Sequence, residues 1–105
     1  MKAPITLDQL RSRRSEIVNT LARYGLSNPR VFGSVARGEA DSQSDIDLVV
    51  DWVVGQRPHG LDYYDTVGEA QDKLRTLLGL RVDVLPADQA RKWVVHAITR
   101  ESQLL

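Results

Sequence analysis

Apolar residues recur along the first quarter of the chain at the spacing of an amphipathic helix. Thr6 and Gln9 stand three residues apart, the spacing of a capping box, in which each side chain accepts a hydrogen bond from the other residue's backbone N–H. Gly25 suits a left-handed helix stop. We therefore predict one helix between Thr6 and Gly25, with a buried face formed by Leu7, Leu10, Ile17, Val18 and Leu21.

The remainder of the chain alternates short apolar runs with longer helical patterns. The apolar runs predict strands at Arg30–Phe32, Ile46–Val50 and Arg81–Leu85. The helical patterns predict a single turn at Val35–Arg37 and helices over about Asp62–Leu78 and about Asp88–Arg100. We expect an α/β (α+β) fold in the order αβαβαβα, with three strands in one sheet and a single domain over residues 1–105.

Composition narrows the class of protein further. The chain is 42% hydrophobic and 27% charged, which is typical of a globular domain. It has no cysteine, so it has no disulfide, thiolate metal site or thiol nucleophile. Its longest apolar runs are three residues, too short to span a membrane, and Asp8 interrupts any signal-peptide core. We expect a soluble cytoplasmic protein.

The charges are balanced in number but segregated along the chain. The net charge is zero, which argues against nucleic acid as the main partner. Six arginines and one acid lie between Arg11 and Arg37, followed by five acids and no base between Glu39 and Asp51. Such blocks place an anion-attracting surface beside a cation-binding one, although an arginine-rich helix is more often simply a solvated face.

Three aspartates on predicted strands are the candidate catalytic and metal-binding residues. Asp45 and Asp47 are two residues apart, so a strand projects both carboxylates from the same face. Asp83 joins them if its strand is the neighbour. Three carboxylates can hold two Mg²⁺ ions for in-line displacement at phosphorus. The alternatives are a solvated strand entrance for the pair and an edge-strand position facing water for Asp83.

A glycine–serine pair supplies a candidate phosphate-binding turn ten residues before the first of these aspartates. Gly33 at a strand-to-helix turn allows close approach of a phosphate, and Ser34 adds a hydroxyl and first-turn amides. Arg37, one turn further on, can donate to a phosphate. Ser34 could equally be a helix N-cap, and Arg37 a surface arginine.

The segment GSVARGEADSQSDIDLVVD, residues 33–51, together with RVDVL later, resembles the minimal nucleotidyltransferases of the DNA polymerase β-like superfamily. The resemblance implies a palm-like αβαβαβα fold with a mixed sheet, covering nearly the whole chain. It also implies that Gly33 and Ser34 bind the triphosphate of ATP and that the three aspartates bind metal. Relatives often have a basic residue where this chain has Val35, which leaves Arg37 as the phosphate contact.

Members of this minimal group are antitoxins, and the resemblance implies a type VII-like antitoxin here. Such proteins transfer AMP from ATP to a tyrosine hydroxyl of a cognate HEPN ribonuclease toxin, which neutralises it. The implied partners are therefore ATP, Mg²⁺ and a HEPN toxin in a hetero-oligomer. Two alternatives stay open: a non-catalytic module that occludes the toxin, and nucleotidyl transfer to RNA or a small molecule.

Overall fold

The computed structural model describes residues 6–33, 38, 45–89 and 103–105 of the chain. Within these ranges the helices are α1 (Leu7–Ser12), α2 (Arg14–Ala22) and α3 (Leu61–Leu78), and a single 3-10 turn covers Ala87–Gln89. The strands are β1 (Leu26–Phe32), β2 (Ile46–Trp52), β3 (Val82–Pro86) and β4 (Gln103–Leu104). The helical turn predicted at 35–37 and most of the helix predicted at 88–100 lie outside the described residues.

The first predicted helix is divided into α1 and α2. Its capping box is present, with Thr6 and Gln9 each accepting from the other's backbone N–H. The division follows from Ser12, whose hydroxyl donates to the Gln9 carbonyl at 2.6 Å, while the N–H of Arg13 bonds the Leu10 carbonyl instead. Side-chain bonding of this kind competes with the helical ladder, so the prediction of one continuous helix was wrong at this point.

The strands form one mixed sheet in the order β3-β2-β1-β4. β1 and β2 pair antiparallel, β2 and β3 pair in parallel through the α3 crossover, and β4 pairs antiparallel with β1. The mixed α/β architecture confirms the predicted fold class. The prediction of three strands was incomplete, because β4 has only two residues and no pattern of its own.

β1 begins four residues before its predicted start because it contains a bulge. The register with β2 shifts between Ser27 and Arg30, where Asn28 has a positive φ of 52°. Pro29 has no N–H to give to a ladder, and a bulge is one of the few places in a strand that accommodates it. Asn28 and Pro29, which lie between the predicted first helix and the predicted first strand, are therefore inside the strand.

The helices cover one face of the sheet and form the core there. This core contains Leu10, Ile17, Leu21, Leu26, Val31, Ile46, Leu48, Val50, Ala70, Leu74, Val82, Val84 and Leu105. Alternation along β2 sends Asp47, Val49 and Asp51 to the opposite face. No helix of the described ranges combines the length and apolarity needed to cross a bilayer. The fold thus separates an apolar face from a face that carries carboxylates.

Candidate active site

The three predicted aspartates lie at the end of the sheet where β2 and β3 begin, which we call the acidic edge. Asp45 directly precedes β2, and Asp47 is the second residue of β2. Asp83 is the second residue of β3 and is the register partner of Asp47. Paired residues on adjacent strands lie about 4.8 Å apart. The neighbouring position that the sequence left conditional for Asp83 is therefore the one observed.

Asp47 is the carboxylate of this group that its surroundings destabilise in the charged form. Partial burial, followed by repulsion from the Asp83 and Asp45 carboxylates, raises the pKa of Asp47 above its ordinary value. The two flanking carboxylates have cationic partners: Asp83 lies 3.1 Å from Arg75 and Asp45 lies 3.4 Å from Arg81. Among the described residues, Asp47 has no such ion pair.

Asp83 is exposed rather than buried. Its side chain is 53% exposed, because β3 is the edge strand of the sheet and Asp83 points away from the core. The alternative of an edge-strand residue in contact with water therefore describes its surroundings. The exposure leaves Asp83 accessible to an incoming substrate.

Gly33 directly follows β1 and lies beside Asp47. Its φ is +77°, and a Cβ added at this position would lie 2.7 Å from Asp47 Oδ2. Phe32, the preceding residue, is the register partner of Asp47. Only glycine combines this conformation with this close approach, so the turn and the carboxylate form one local unit. Ser34 and Arg37, the other predicted phosphate-binding residues, lie outside the described residues.

The acidic edge fits a hard divalent cation in its chemistry but is not a closed cation cage. Carboxylate oxygens are the ligands that Mg²⁺ prefers, and a bound cation would relieve the repulsion that acts on Asp47. Within the described part of the chain, no three Asp, Glu or His side chains are grouped closely enough to hold a metal ion. Binding one between all three aspartates requires Asp45 and Asp83 to turn away from Arg81 and Arg75.

The sequence analysis did not identify Arg75 and Arg81 as partners of these carboxylates, although the position of each in the chain could have indicated it. Arg75 lies in the last turn of α3, and its Nε also donates to the Val82 carbonyl at 2.9 Å. Arg81 is two residues before Asp83, at the entrance of the same strand. A basic residue at the end of a helix that leads into an acidic strand is positioned to reach that strand's carboxylate. The distance between them depends on helix orientation, which the spacing does not specify.

A second polar cluster lies at the opposite end of the sheet. Asp88 accepts from the Tyr63 hydroxyl at 2.6 Å and from Arg57 Nε at 2.7 Å. Burial and this hydrogen bond raise the pKa of Tyr63 to about 12. Trp52 packs 5.2 Å from the Tyr63 ring, so it lies at the rim of the core and far from the acidic edge. This cluster ties the end of β3 to the start of α3.

Carboxylates at the strand ends beside a glycine turn suit the transfer of a phosphate-linked group, in which a cation and close backbone approach stabilise phosphate oxygens. A family profile described as nucleotidyltransferase domain matches residues 13–105. Protein adenylyltransferase MntA of Thermococcus cleftensis is 33% identical over 100 residues, which cover 94% of this chain and 95% of that relative. The chain therefore belongs to the nucleotidyltransferase family and is a homologue of protein adenylyltransferases.

Solved structures agree with this assignment. A structure described as a minimal nucleotidyltransferase superposes with a TM-score of 0.76 at 36% identity, covering 96% of this chain and 97% of that one. A toxin–antitoxin structure with AMP-PNP has a TM-score of 0.69 at 21% identity, covering 86% and 69%. A tri-AMPylated HEPN toxin of Shewanella oneidensis in complex with its MNT antitoxin gives 0.64 at 18%, covering 90% and 69%. The last two show the shared fold.

Proposed function

We propose that this protein is a Mg²⁺-dependent adenylyltransferase antitoxin that transfers AMP from ATP to a tyrosine hydroxyl of a HEPN ribonuclease toxin. The observation that carries the proposal is the in-register pair of Asp47 and Asp83, with Gly33 packed against the first. The name of the MntA relative and the complexes with a toxin or with AMP-PNP support the nucleotide and the acceptor. The protein acts in the cytoplasm, where ATP and Mg²⁺ are present.

The side chains have distinct parts in this reaction. Asp45 and Asp47, with Asp83, would hold the metal, and bound Mg²⁺ would neutralise the phosphate oxygens of the nucleotide. Asp83 is the most accessible carboxylate of the described three and accepts the proton of the tyrosine hydroxyl. The hydroxyl oxygen forms a bond to the α-phosphorus while the bond to pyrophosphate breaks. Gly33, with Ser34 and Arg37 following it, binds the triphosphate.

Transfer is tested with ATP labelled at the α-phosphate, Mg²⁺ and the purified HEPN toxin. We expect label on the toxin with the parent chain, and none with the combined Asp45→Asn and Asp47→Asn variant. Asp65→Asn is the matched control, since Asp65 is an exposed carboxylate on α3, outside the acidic edge. Equal labelling by the parent and the double variant would contradict the proposal.

Toxin neutralisation separates catalysis from occlusion. The ion pairs of Asp45 and Asp83 with arginines are the observation that favours a non-catalytic module, because they leave no ready cation cage among the described residues. If the double Asn variant still neutralises the toxin's ribonuclease activity, occlusion is sufficient. If neutralisation requires both ATP and the aspartates, transfer of AMP is the mechanism.

A further inference from the structure

An open groove lies at the far end of β1, away from the acidic edge. It has a volume of about 570 Å³ and is bounded by α2, the start of β1, the turn after β2 and the β4 end of the chain. Its walls are mostly apolar and include Val18, Ala22, Leu26, Val53 and Leu105. Leu104, which also lines the groove, is 65% exposed. A groove of this size and character accepts apolar side chains from another molecule.

The rim of this groove carries uncompensated positive charge. Arg14 lines the groove, is exposed, and has neither an ion pair nor a hydrogen bond within the described ranges. Arg11, one turn earlier, donates to the Leu104 carbonyl, a neutral group, and within the described part of the chain it has no carboxylate partner either. The described residues that line the groove include no Asp or Glu. An occupant that combines apolar side chains with carboxylates therefore complements both the interior and the rim.

The walls of the groove are held in place by hydrogen bonds between separate elements. Arg11 makes two bonds to the Leu104 carbonyl, at 3.2 and 2.8 Å, which join α1 to β4. The Leu105 N–H donates to the Pro29 carbonyl, and the Val53 N–H donates to the Gly25 carbonyl. A groove fixed in this way requires little reorganisation when a ligand binds, which favours affinity.

Distance from the acidic edge indicates the size of the occupant. Leu26 and Pro29, which both line the groove, are seven and four residues before Gly33, which corresponds to roughly 23 and 13 Å in an extended strand. A molecule that fills the groove as far as Leu26 while it places a hydroxyl at the acidic edge therefore spans about 23 Å, which favours a macromolecule. The apolar lining and the few exposed arginines favour a protein segment over an RNA backbone, which is recognised through many phosphate contacts.

We infer that this groove, defined by Arg14, Val18, Ala22, Leu26, Val53 and Leu105, docks an apolar segment flanked by acidic residues on the protein that receives AMP. The identity of that protein rests on the proposed function, whereas the groove and its charge do not. Docking here holds the acceptor on the enzyme at a distance from the chemistry. It therefore sets the KM for the acceptor protein and leaves kcat at saturation unchanged.

Two substitutions test the groove, and a third is their control. Arg14→Glu reverses the charge at the rim, and Ala22→Glu places a charged, larger side chain in the groove from an exposed helix position. Arg23→Glu is the matched control, because Arg23 is exposed at the same end of α2 as Ala22 but does not line the groove. Circular dichroism melts identify any variant that fails to fold.

Binding is measured by calorimetry with HEPN toxin whose ribonuclease activity has been removed by mutation, without ATP. We expect Arg14→Glu and Ala22→Glu each to weaken binding at least tenfold, with Arg23→Glu within twofold of the parent. In the labelling assay the same two variants raise the KM for toxin and retain kcat. Parent-like binding by both would overturn the docking site.

Other occupants give different results, and each would overturn the inference. If the two variants lose binding to an RNA oligonucleotide but not to toxin, the groove is an RNA site. If they abolish a concentration-dependent increase in sedimentation coefficient, the groove joins two copies of this chain. Binding is measured without ATP, so the groove and the proposed function can fail separately. If neither the parent chain nor any variant transfers AMP, the proposed function is contradicted and the binding result for the groove still stands.

Discussion

Replacement of Gly33 by alanine tests whether the glycine turn determines the position of the Asp47 carboxylate. A residue with a Cβ at a φ of +77° costs about 1–2 kcal/mol in the left-handed region. The new Cβ would also lie 2.7 Å from Asp47 Oδ2, and ordinary contact begins at 3.4 Å, so the carboxylate must move by about 0.7 Å. A displacement approaching 1 Å at a reacting group costs on the order of 100-fold in rate.

Gly55→Ala is the matched control for the backbone term. Gly55 has a φ of +82°, and a Cβ there has nothing within 4 Å. We expect both alanine variants to lose about 1–2 kcal/mol of unfolding free energy in urea titrations. Only Gly33→Ala should also lose roughly 100-fold in AMP transfer. The ¹³C chemical shift of the Asp47 carboxyl group, measured without metal, should change in that variant alone.

Two results would refute this reasoning. Transfer by Gly33→Ala within threefold of Gly55→Ala, at similar stability, would mean that the turn does not determine where Asp47 lies. An unchanged Asp47 carboxyl shift together with a large loss of activity would mean that the glycine acts on the nucleotide and not on the carboxylate. Each result separates the two roles of Gly33, which the structure combines in one contact.

Three further predictions follow from the charged groups. Burial and the Asp83 carboxylate raise the pKa of Asp47, so its ionised form opposes folding at pH values above 3.8. Asp47→Asn should therefore raise the melting temperature of the metal-free protein at pH 7. An equal rise in melting temperature at pH 3 would contradict this. Tyr63→Phe should remove the phenol ionisation near pH 12 from an alkaline absorbance titration and cost about 1 kcal/mol through the lost bond to Asp88; an unchanged titration would reject it. Arg75→Gln should lower stability by about 1 kcal/mol, through the lost bond from Arg75 Nε to the Val82 carbonyl rather than through its exposed pair with Asp83, yet tighten Mn²⁺ binding several-fold in calorimetry; weaker binding would show that Arg75 orients Asp83 for the metal.

The position of Asp83 next to Asp47 was predictable because it follows from local rules. A buried apolar run, a long helix stopped at Gly79 and a second strand form a βαβ unit, whose crossover returns the second strand to the same sheet in parallel. The two strands begin at the same edge of the sheet, so their early residues become neighbours. The prediction depended on element type alone, which strong periodicity specifies well.

The surroundings of the site were not predictable, because they depend on tertiary order. β3 is an edge strand with alternating buried and exposed residues, which exposes Asp83, and residue spacing does not specify which strand lies at the edge of the sheet. The partners of Asp45 and Asp83 depend on where two long arginine side chains reach from a helix end and a strand entrance. Such contacts arise from the relative placement of elements and have no signature in residue spacing.

Asp47 is the position at which folding and cation binding oppose each other. Asp47 lies between the buried Ile46 and Leu48, and among the described residues its carboxylate has no arginine partner, unlike those of Asp45 and Asp83. A partly buried anion without a cationic partner opposes folding, and a cation that binds only the folded chain restores that free energy by mass action. Removing the charge of Asp47 should therefore raise metal-free stability while it weakens divalent-cation binding. A carboxylate with a purely structural role would not move these two quantities in opposite directions, because its loss would lower stability and leave cation affinity unchanged.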